Sequence, residues 1–326
     1  MGFFDFSITD AATIVKDRRE WRVAIAFCTA LRYYICGGNM KRGLLAVNAF
    51  LNTEKFLSVY RFLQQAAERR GIALDIVRTD EFCTPFDELP HGVVDADFVI
   101  FWDKDVHAAR RLERAGMKVF NSARTIEICD SKILTAMCID GKAEMPTTVF
   151  APKTFDTVGY SDRRFVERAA QALGLPMVVK EACGSFGWEV WLARSLEEAN
   201  AVIDKIGARE FLMQKFVAES AGQDVRVNIV GGKVVSAMYR YNDRDFRSNI
   251  TLGGKMKPYE LSDEQRRAAL AASEAVGADF CGVDLLFGGA GPLVCEVNSN
   301  PNFKSSLDCT GVNMADKIVE YIEERI

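Results

Sequence analysis

Up to about residue 120 the chain alternates short apolar runs with stretches of helical spacing. Residues 22–27, 43–47, 73–77, 98–102 and 118–120 read as strands. Residues 53–70 read as a helix: Phe56, Leu57, Tyr60, Leu63 and Ala67 share one face, Thr53 stands at the cap, and Gly71 ends it. Strands alternating with helices imply a parallel, doubly wound sheet, so the N-terminal part is of α/β class. No Gly-x-Gly-x-x-Gly follows the first strand, and a dinucleotide site is not expected there.

From about residue 121 the pattern changes. A helix is expected over 123–139, then a turn containing Gly141 and Pro146, then a helix over 162–173. A strand at 177–180 enters the loop Gly184-Ser185-Phe186-Gly187 and a strand returns at 190–193. Ser195, with Glu198 three positions later, reads as a capping box opening the next helix. The runs at 211–217, 225–230 and 233–241 read as mainly antiparallel strands, and helices follow over 263–277 and 314–324. This second half is α+β. The expected domains are residues 1–120, 121–213 and 214–326.

Chemistry concentrates in the last hairpin. Apolar runs holding Asp284 on one side, and Glu296 and Asn298 on the other, flank Gly288, Gly289 and Gly291. Side chains alternate faces along a strand, so Glu296 and Asn298 point the same way, with Asp284 opposite them. A carboxylate and an amide in apolar strands are costly to bury unpaired. Three oxygen donors aimed at one point suit a hard cation such as Mg²⁺, which usually shares its shell with substrate phosphates. This directs attention to residues that would hold phosphates.

Composition removes several function classes. A net charge of −4 lacks the basic surplus of a nucleic-acid binder. No apolar run approaches the roughly 18 residues of a membrane span. The N-terminus has no basic region of a signal peptide, and Phe6 stands where a myristoylation pattern needs Ser or Thr. Residues 7–10 suit the cap of a short helix, and Phe3, Phe4 and Phe6 need cover. Nine scattered cysteines without a Cys-x-x-Cys pair read as reduced thiols of a cytoplasmic protein. With only His91 and His107, a His-rich zinc site is excluded, and neither stands near a nucleophile motif.

The remaining candidates each have a plain structural alternative. Lys180 precedes the glycine loop, where backbone N–H groups approach phosphate oxygens and a lysine adds charge; it is equally an ordinary hairpin lysine. Lys132, early in a helix, alone reads as solvated. Gln214, Lys215, Phe216 and Val217 end an apolar run whose backbone suits an adenine edge, or they form a plain core strand. Asp224 and Arg226 share a strand face. Arg240, Arg244 and Arg247 cluster beside Ser248 and Asn249, and arginine grips phosphate and carboxylate with two prongs. Asp243 and Asp245 among them leave a solvated charged loop as the alternative.

Taken in order, Lys132, Lys180 with its glycine loop, Gln214 to Val217, Asp224, Arg247-Ser248-Asn249, Asp284, and Glu296-Val297-Asn298 resemble the ATP-grasp superfamily, and within it the RimK-like amino-acid (glutamate) ligases. The resemblance covers roughly residues 100–326. It implies an ATP-grasp fold and an ATP-dependent carboxylate–amine ligase working through an acylphosphate, with ADP and phosphate released. It also implies roles. Lys132 and Lys180 would contact the nucleotide phosphates, with Gly184, Ser185 and Gly187 in a lid over them. Lys215 to Val217 would hold adenine beside Gln214, with Asp224 and Ser248 in the ATP site. Arg247 and Asn249 would be catalytic, facing the γ-phosphate and acylphosphate. Asp284, Glu296 and Asn298 would bind two Mg²⁺ or Mn²⁺ ions. Arg226 and Arg240 are candidates for a substrate carboxylate. The implied partners are an amino acid and a carboxylate-bearing small molecule, peptide or protein tail. A homodimer or homotetramer is the family habit. A D-alanine–D-alanine-like dipeptide ligase, a natural-product ligase and a non-catalytic nucleotide-binding regulator are the rival readings. Glu189, in place of a small lid residue, and Ser299 to Phe303, in place of a Pro-Gly, depart from the family pattern.

Overall fold

The computed structural model describes residues 41–90, 92–184 and 187–326. The strand expected at 22–27, the cap at 7–10, the three N-terminal phenylalanines and His91 lie outside the described residues. The first sheet contains β1 (Arg42–Val47), followed by helix α1 (Glu54–Arg69), β2 (Ala73–Arg78), β3 (Phe98–Trp102), helix α2 (Val106–Arg114) and β4 (Val119–Phe120). Its order is β2-β1-β3-β4 and every pairing is parallel. All five residues of β3 are buried, as in a parallel strand covered on both faces. Thr53 occupies the N-cap of α1 through its backbone, but its side chain makes no capping bond.

The single helix expected over 123–139 is two helices, α3 (Ala123–Asp130) and α4 (Lys132–Ile139). Ser131 between them is extended, and its hydroxyl accepts from the Leu134 N–H. The break frees the Lys132 N–H to donate to the Ala182 carbonyl at 2.8 Å. A serine offers the backbone this alternative partner, which the apolar periodicity conceals.

The second sheet is built from β5 (Thr148–Phe150), β6 (Met177–Glu181), β7 (Val190–Ala193) and β8 (Phe211–Lys215), in the order β5-β8-β6-β7. Helices α5 (Arg164–Leu173) and α6 (Leu196–Ile206) fill its outer face with Val166, Leu173, Ile203 and Ile206. The Ser195 hydroxyl caps α6, while Glu198 reaches the Arg194 N–H instead of the Ser195 N–H of an ideal box. The strand read over 211–217 ends at Lys215, so a domain boundary after residue 213 falls inside β8.

The third sheet holds β9 (Gln223–Val230), β10 (Lys233–Tyr241), β11 (Lys255–Pro258), β12 (Phe280–Gly288) and β13 (Gly291–Asn298), with helix α7 (Asp263–Val276) after β11. It runs β11-β10-β9-β12-β13 and is antiparallel. Val225, Val227 and Ile229 of β9 and Cys281, Val283 and Leu285 of β12 face α7 in one core. Alternation sends Asp224, Arg226, Asn228 and Asp284 to the opposite face. The short helix α8 (Lys304–Thr310) and helix α9 (Met314–Glu323) follow. Helix α9 joins the core of the first sheet: Ile318, Val319 and Ile322 cluster with Leu45, Leu63 and Ile100. Among the described residues no helix is long and apolar enough to cross a membrane.

Asn121 fastens the first sheet to the third. It is fully buried; its amide donates to the Phe280 and Ser299 carbonyls at 2.8 and 2.7 Å and accepts from the Asp279 and Phe280 N–H groups. Replacing it leaves several backbone groups unpaired inside the protein. Asn121→Ala is expected to lower unfolding free energy by about 2–4 kcal/mol in urea titration. Tyr321 of α9 makes a second tie, donating to Asp279 Oδ1 at 2.7 Å. Burial, then the bond to Asp279, pushes its hydroxyl from 10.0 to about 12. Because the folded value is raised, this contribution is complete below about pH 10 and lost as pH rises toward about 12. The stability gap between the native protein and Tyr321→Phe is therefore expected to narrow across that alkaline interval in denaturation curves.

Candidate functional site

The second and third sheets face each other across a cleft lined by residues of both. Of the expected residues, Lys132, Lys180, Gly184, Gly187, Gln214, Lys215, Phe216, Val217, Asp224, Arg240, Arg247, Ser248, Asn249, Asp284 and Glu296 line it. Arg226 and Asn298 stand outside that lining, and Ser185 lies outside the described residues.

The third sheet supplies the floor, and strand register explains its composition. Asp224 lies opposite Arg240, Arg226 opposite Asp284, and Asp284 opposite Glu296. Four neighbouring strands thus carry charged side chains on one face. Arg240 grips Asp224 with two prongs at 2.7 and 2.5 Å and also touches Asp284 at 3.0 Å. Arg226 grips the same Asp284 through Nε and Nη2. Burial alone would raise the Asp284 pKa, but the two guanidiniums outweigh it and hold the carboxyl below its usual range. Burial alone would lower Arg240, and Asp224 with Asp284 reverses that. Both expected substrate arginines are thus engaged by carboxylates.

A β-bulge shapes the other side of the hairpin. The register slips so that Leu285 pairs with Val294 while Asp284 pairs with Glu296, leaving Cys295 as the extra residue. Cys295 and Glu296 consequently both line the cleft, where strict alternation would have turned one away. Nothing in the residue pattern signals this bulge. Asn298, opposite Gly282, turns its amide toward the Gly282 carbonyl.

The second sheet supplies the roof. Lys180 is buried, and its ammonium donates to Gln214 Oε1 at 2.7 Å and lies 3.5 Å from Cys295 Sγ. Gln214 is itself held by Thr148 Oγ1 at 2.9 Å. The Gln214 side chain therefore orients the lysine, a role its strand position alone did not suggest. Phe216 packs edge-on against Phe246, which sequence reading missed as a wall of the cleft.

Gly184 and Gly187, at the two ends of the glycine loop, line the cleft. Gly187 has φ +78°, and a Cβ there would approach Asn249 Oδ1 to 2.9 Å. Gly184 has φ +146°, and a Cβ there would meet Glu189 Oε2 at 2.6 Å, so Glu189 turns back over the loop. Both positions require glycine. Arg247 donates to the Gly187 carbonyl at 2.5 Å and the Val190 carbonyl at 3.2 Å while its other prongs hold Asp245. That bond draws the Asp245 carboxyl below its ordinary value. The loop and the Arg247 to Asn249 segment are therefore latched together. Thr251, just beyond, accepts from Lys55 of α1 at 3.3 Å, which brings the first domain to the site's edge.

Two cross-strand carboxylates in the cleft, Asp284 and Glu296, are donors that suit a hard divalent cation. Among the described residues Glu296 has neither a hydrogen-bond nor an ion-pair partner, although it lines the cleft. No group of three or more His, Cys, Asp or Glu gathers among the described residues, in the cleft or outside it. Two carboxylates leave coordination positions for phosphate oxygens. The Lys180–Gln214 bond can be tested without ligand. Gln214→Met strands a buried ammonium and is expected to cost about 1–3 kcal/mol in chemical denaturation.

Comparison with known proteins accords with this geometry. The RimK-like ATP-grasp domain matches residues 144–322. A Mycoplasma pneumoniae protein of uncharacterized role is 31% identical over 284 residues, covering 84% of this chain and 96% of that one. A probable alpha-L-glutamate ligase of Shewanella amazonensis is 35% identical over 219 residues, covering 66% and 70%. The structure of D-alanine–D-alanine ligase from Bacillus anthracis complexed with ATP superposes with a TM-score of 0.69 at 18% identity, covering 88% of this chain and 97% of that one. The chain belongs to the RimK-like ATP-grasp family.

Proposed function

We propose that this ATP-grasp ligase joins an amino acid, with glutamate the leading candidate, to the carboxylate of a peptide, protein tail or small metabolite. The observation that carries the reading is convergence. Lysines from two elements, a glycine lid, a basic catalytic loop and a carboxylate hairpin meet in one cleft. The probable alpha-L-glutamate ligase among the relatives supports glutamate as the donor.

Phosphoryl transfer asks a protein for positioning and charge neutralisation more than for a covalent nucleophile. Lys132 and Lys180 hold the phosphates, with Lys180 aimed by Gln214. The backbone at Lys215 to Val217 takes the adenine edge. Asp284, Glu296 and Asn298 would hold Mg²⁺, two ions in this reading, and the metal would supply charge neutralisation at the phosphate oxygens. The substrate carboxylate attacks the γ-phosphate to give an acylphosphate and ADP. The amine nitrogen then adds to the acyl carbon and phosphate leaves. Arg247 and Asn249 stabilise the oxygens that gain charge, and the loop latched to Arg247 excludes water that would hydrolyse the intermediate. Arg226 spends Nε and Nη2 on Asp284, which leaves Nη1 as the prong for a substrate carboxylate.

The test is ADP and phosphate release from Mg²⁺-ATP with and without pooled amino acids. Amino-acid-dependent ADP formation is expected, and Glu296→Gln should lower it by about 100-fold or more. AMP in place of ADP would overturn the acylphosphate route. A D-alanine–D-alanine-like ligase would instead respond to D-alanine alone, with no carboxylate acceptor added.

A further inference from the structure

Asp284 is already held by two arginines. Its two oxygens take Nε and Nη2 of Arg226 and Nη2 of Arg240. Glu296 lies directly across the strand pair and has no partner among the described residues. One carboxylate of the pair is thus covered by cations and the other is not. Asp284 and Arg240 keep only 5% and 6% of their side-chain exposure, so solvent does little to screen them. A bare dication between Asp284 and Glu296 would stand beside the Arg240 guanidinium, and like charges that close in a buried site repel strongly. A metal–nucleotide complex is different, because its phosphates bring the anions that offset the arginines.

Arg240 is also built to let go of Asp284. Its two shorter bonds go to Asp224, at 2.7 and 2.5 Å. Losing Asp284 therefore does not leave it a buried, unpaired cation, a state that costs several kcal/mol. We propose that Arg240 bars a bare divalent cation from the site, so that metal and nucleotide enter only together, with Arg240 as the positioning residue that couples them. The proposal rests on the nucleotide reading above and adds to it an order of binding set by one side chain.

The probe is Mn²⁺, titrated into the full chain and followed by its EPR signal, without and with a non-hydrolysable ATP analogue. The native protein is expected to bind Mn²⁺ about 100-fold more tightly with the analogue than without it. Arg240→Gln should tighten nucleotide-free Mn²⁺ binding and shrink that ratio below about tenfold. Arg240→Lys, which keeps the charge, should retain most of the coupling. Nucleotide-free binding in Arg240→Gln that is unchanged or weaker would overturn the proposal. If that variant melts in thermal unfolding below the working temperature, the native ratio decides, and a ratio near one overturns the proposal alone. Absence of any Mn²⁺ binding with the analogue overturns the nucleotide reading as well.

Discussion

The cleft depends on four charges buried together on one face of an antiparallel sheet. Asp224, Arg240, Asp284 and Arg226 satisfy one another across three strands, and none would be tolerated there alone. Replacing the set by apolar residues would cost little stability, since buried ion pairs often break even against hydrophobic ones. Their presence is better explained by what they hold in place than by what they add to folding. The row fixes Asp284 opposite Glu296, and the hairpin brings both to the lysine end of the cleft through the bulge at Cys295.

Much of this was legible because period-2 alternation is a strong constraint. Asp284, Glu296 and Asn298 could be placed on one hairpin and one face from spacing alone, and the register agrees. The helices over α1, α5, α7 and α9 were visible for the matching reason: their apolar positions recur at helical spacing. What escaped notice had no periodic signature. The edge strands β5 and β11 are three and four residues long, too short to show alternation. The bulge at Cys295 is a slip between strands, and the stop at Ser131 depends on a hydroxyl finding the Leu134 N–H. Partners across the fold were equally hidden. Gln214 with Lys180, and Arg247 with the Gly187 carbonyl, join positions 34 and 60 residues apart.

The glycine loop and the Arg247 to Asn249 segment are joined at Gly187. Arg247 ties the loop to the segment that carries Asn249, Gly187 gives Asn249 room by lacking a side chain, and Lys55 links that segment to the first domain. Helix α1 reaches the same segment from the other side, through Lys55. The departure from family pattern at Ser299 to Phe303 lies along this route, since Asn302 donates to the Lys55 carbonyl at 3.0 Å.

The packing of α9 has a consequence for synthesis. Strand β1 begins at residue 42, yet part of the cover for its sheet is Ile318, Val319 and Ile322. Domains ordinarily fold as the ribosome releases them, N-terminal first. Here part of the apolar cover of the first sheet comes from α9, which is synthesised after all three sheets.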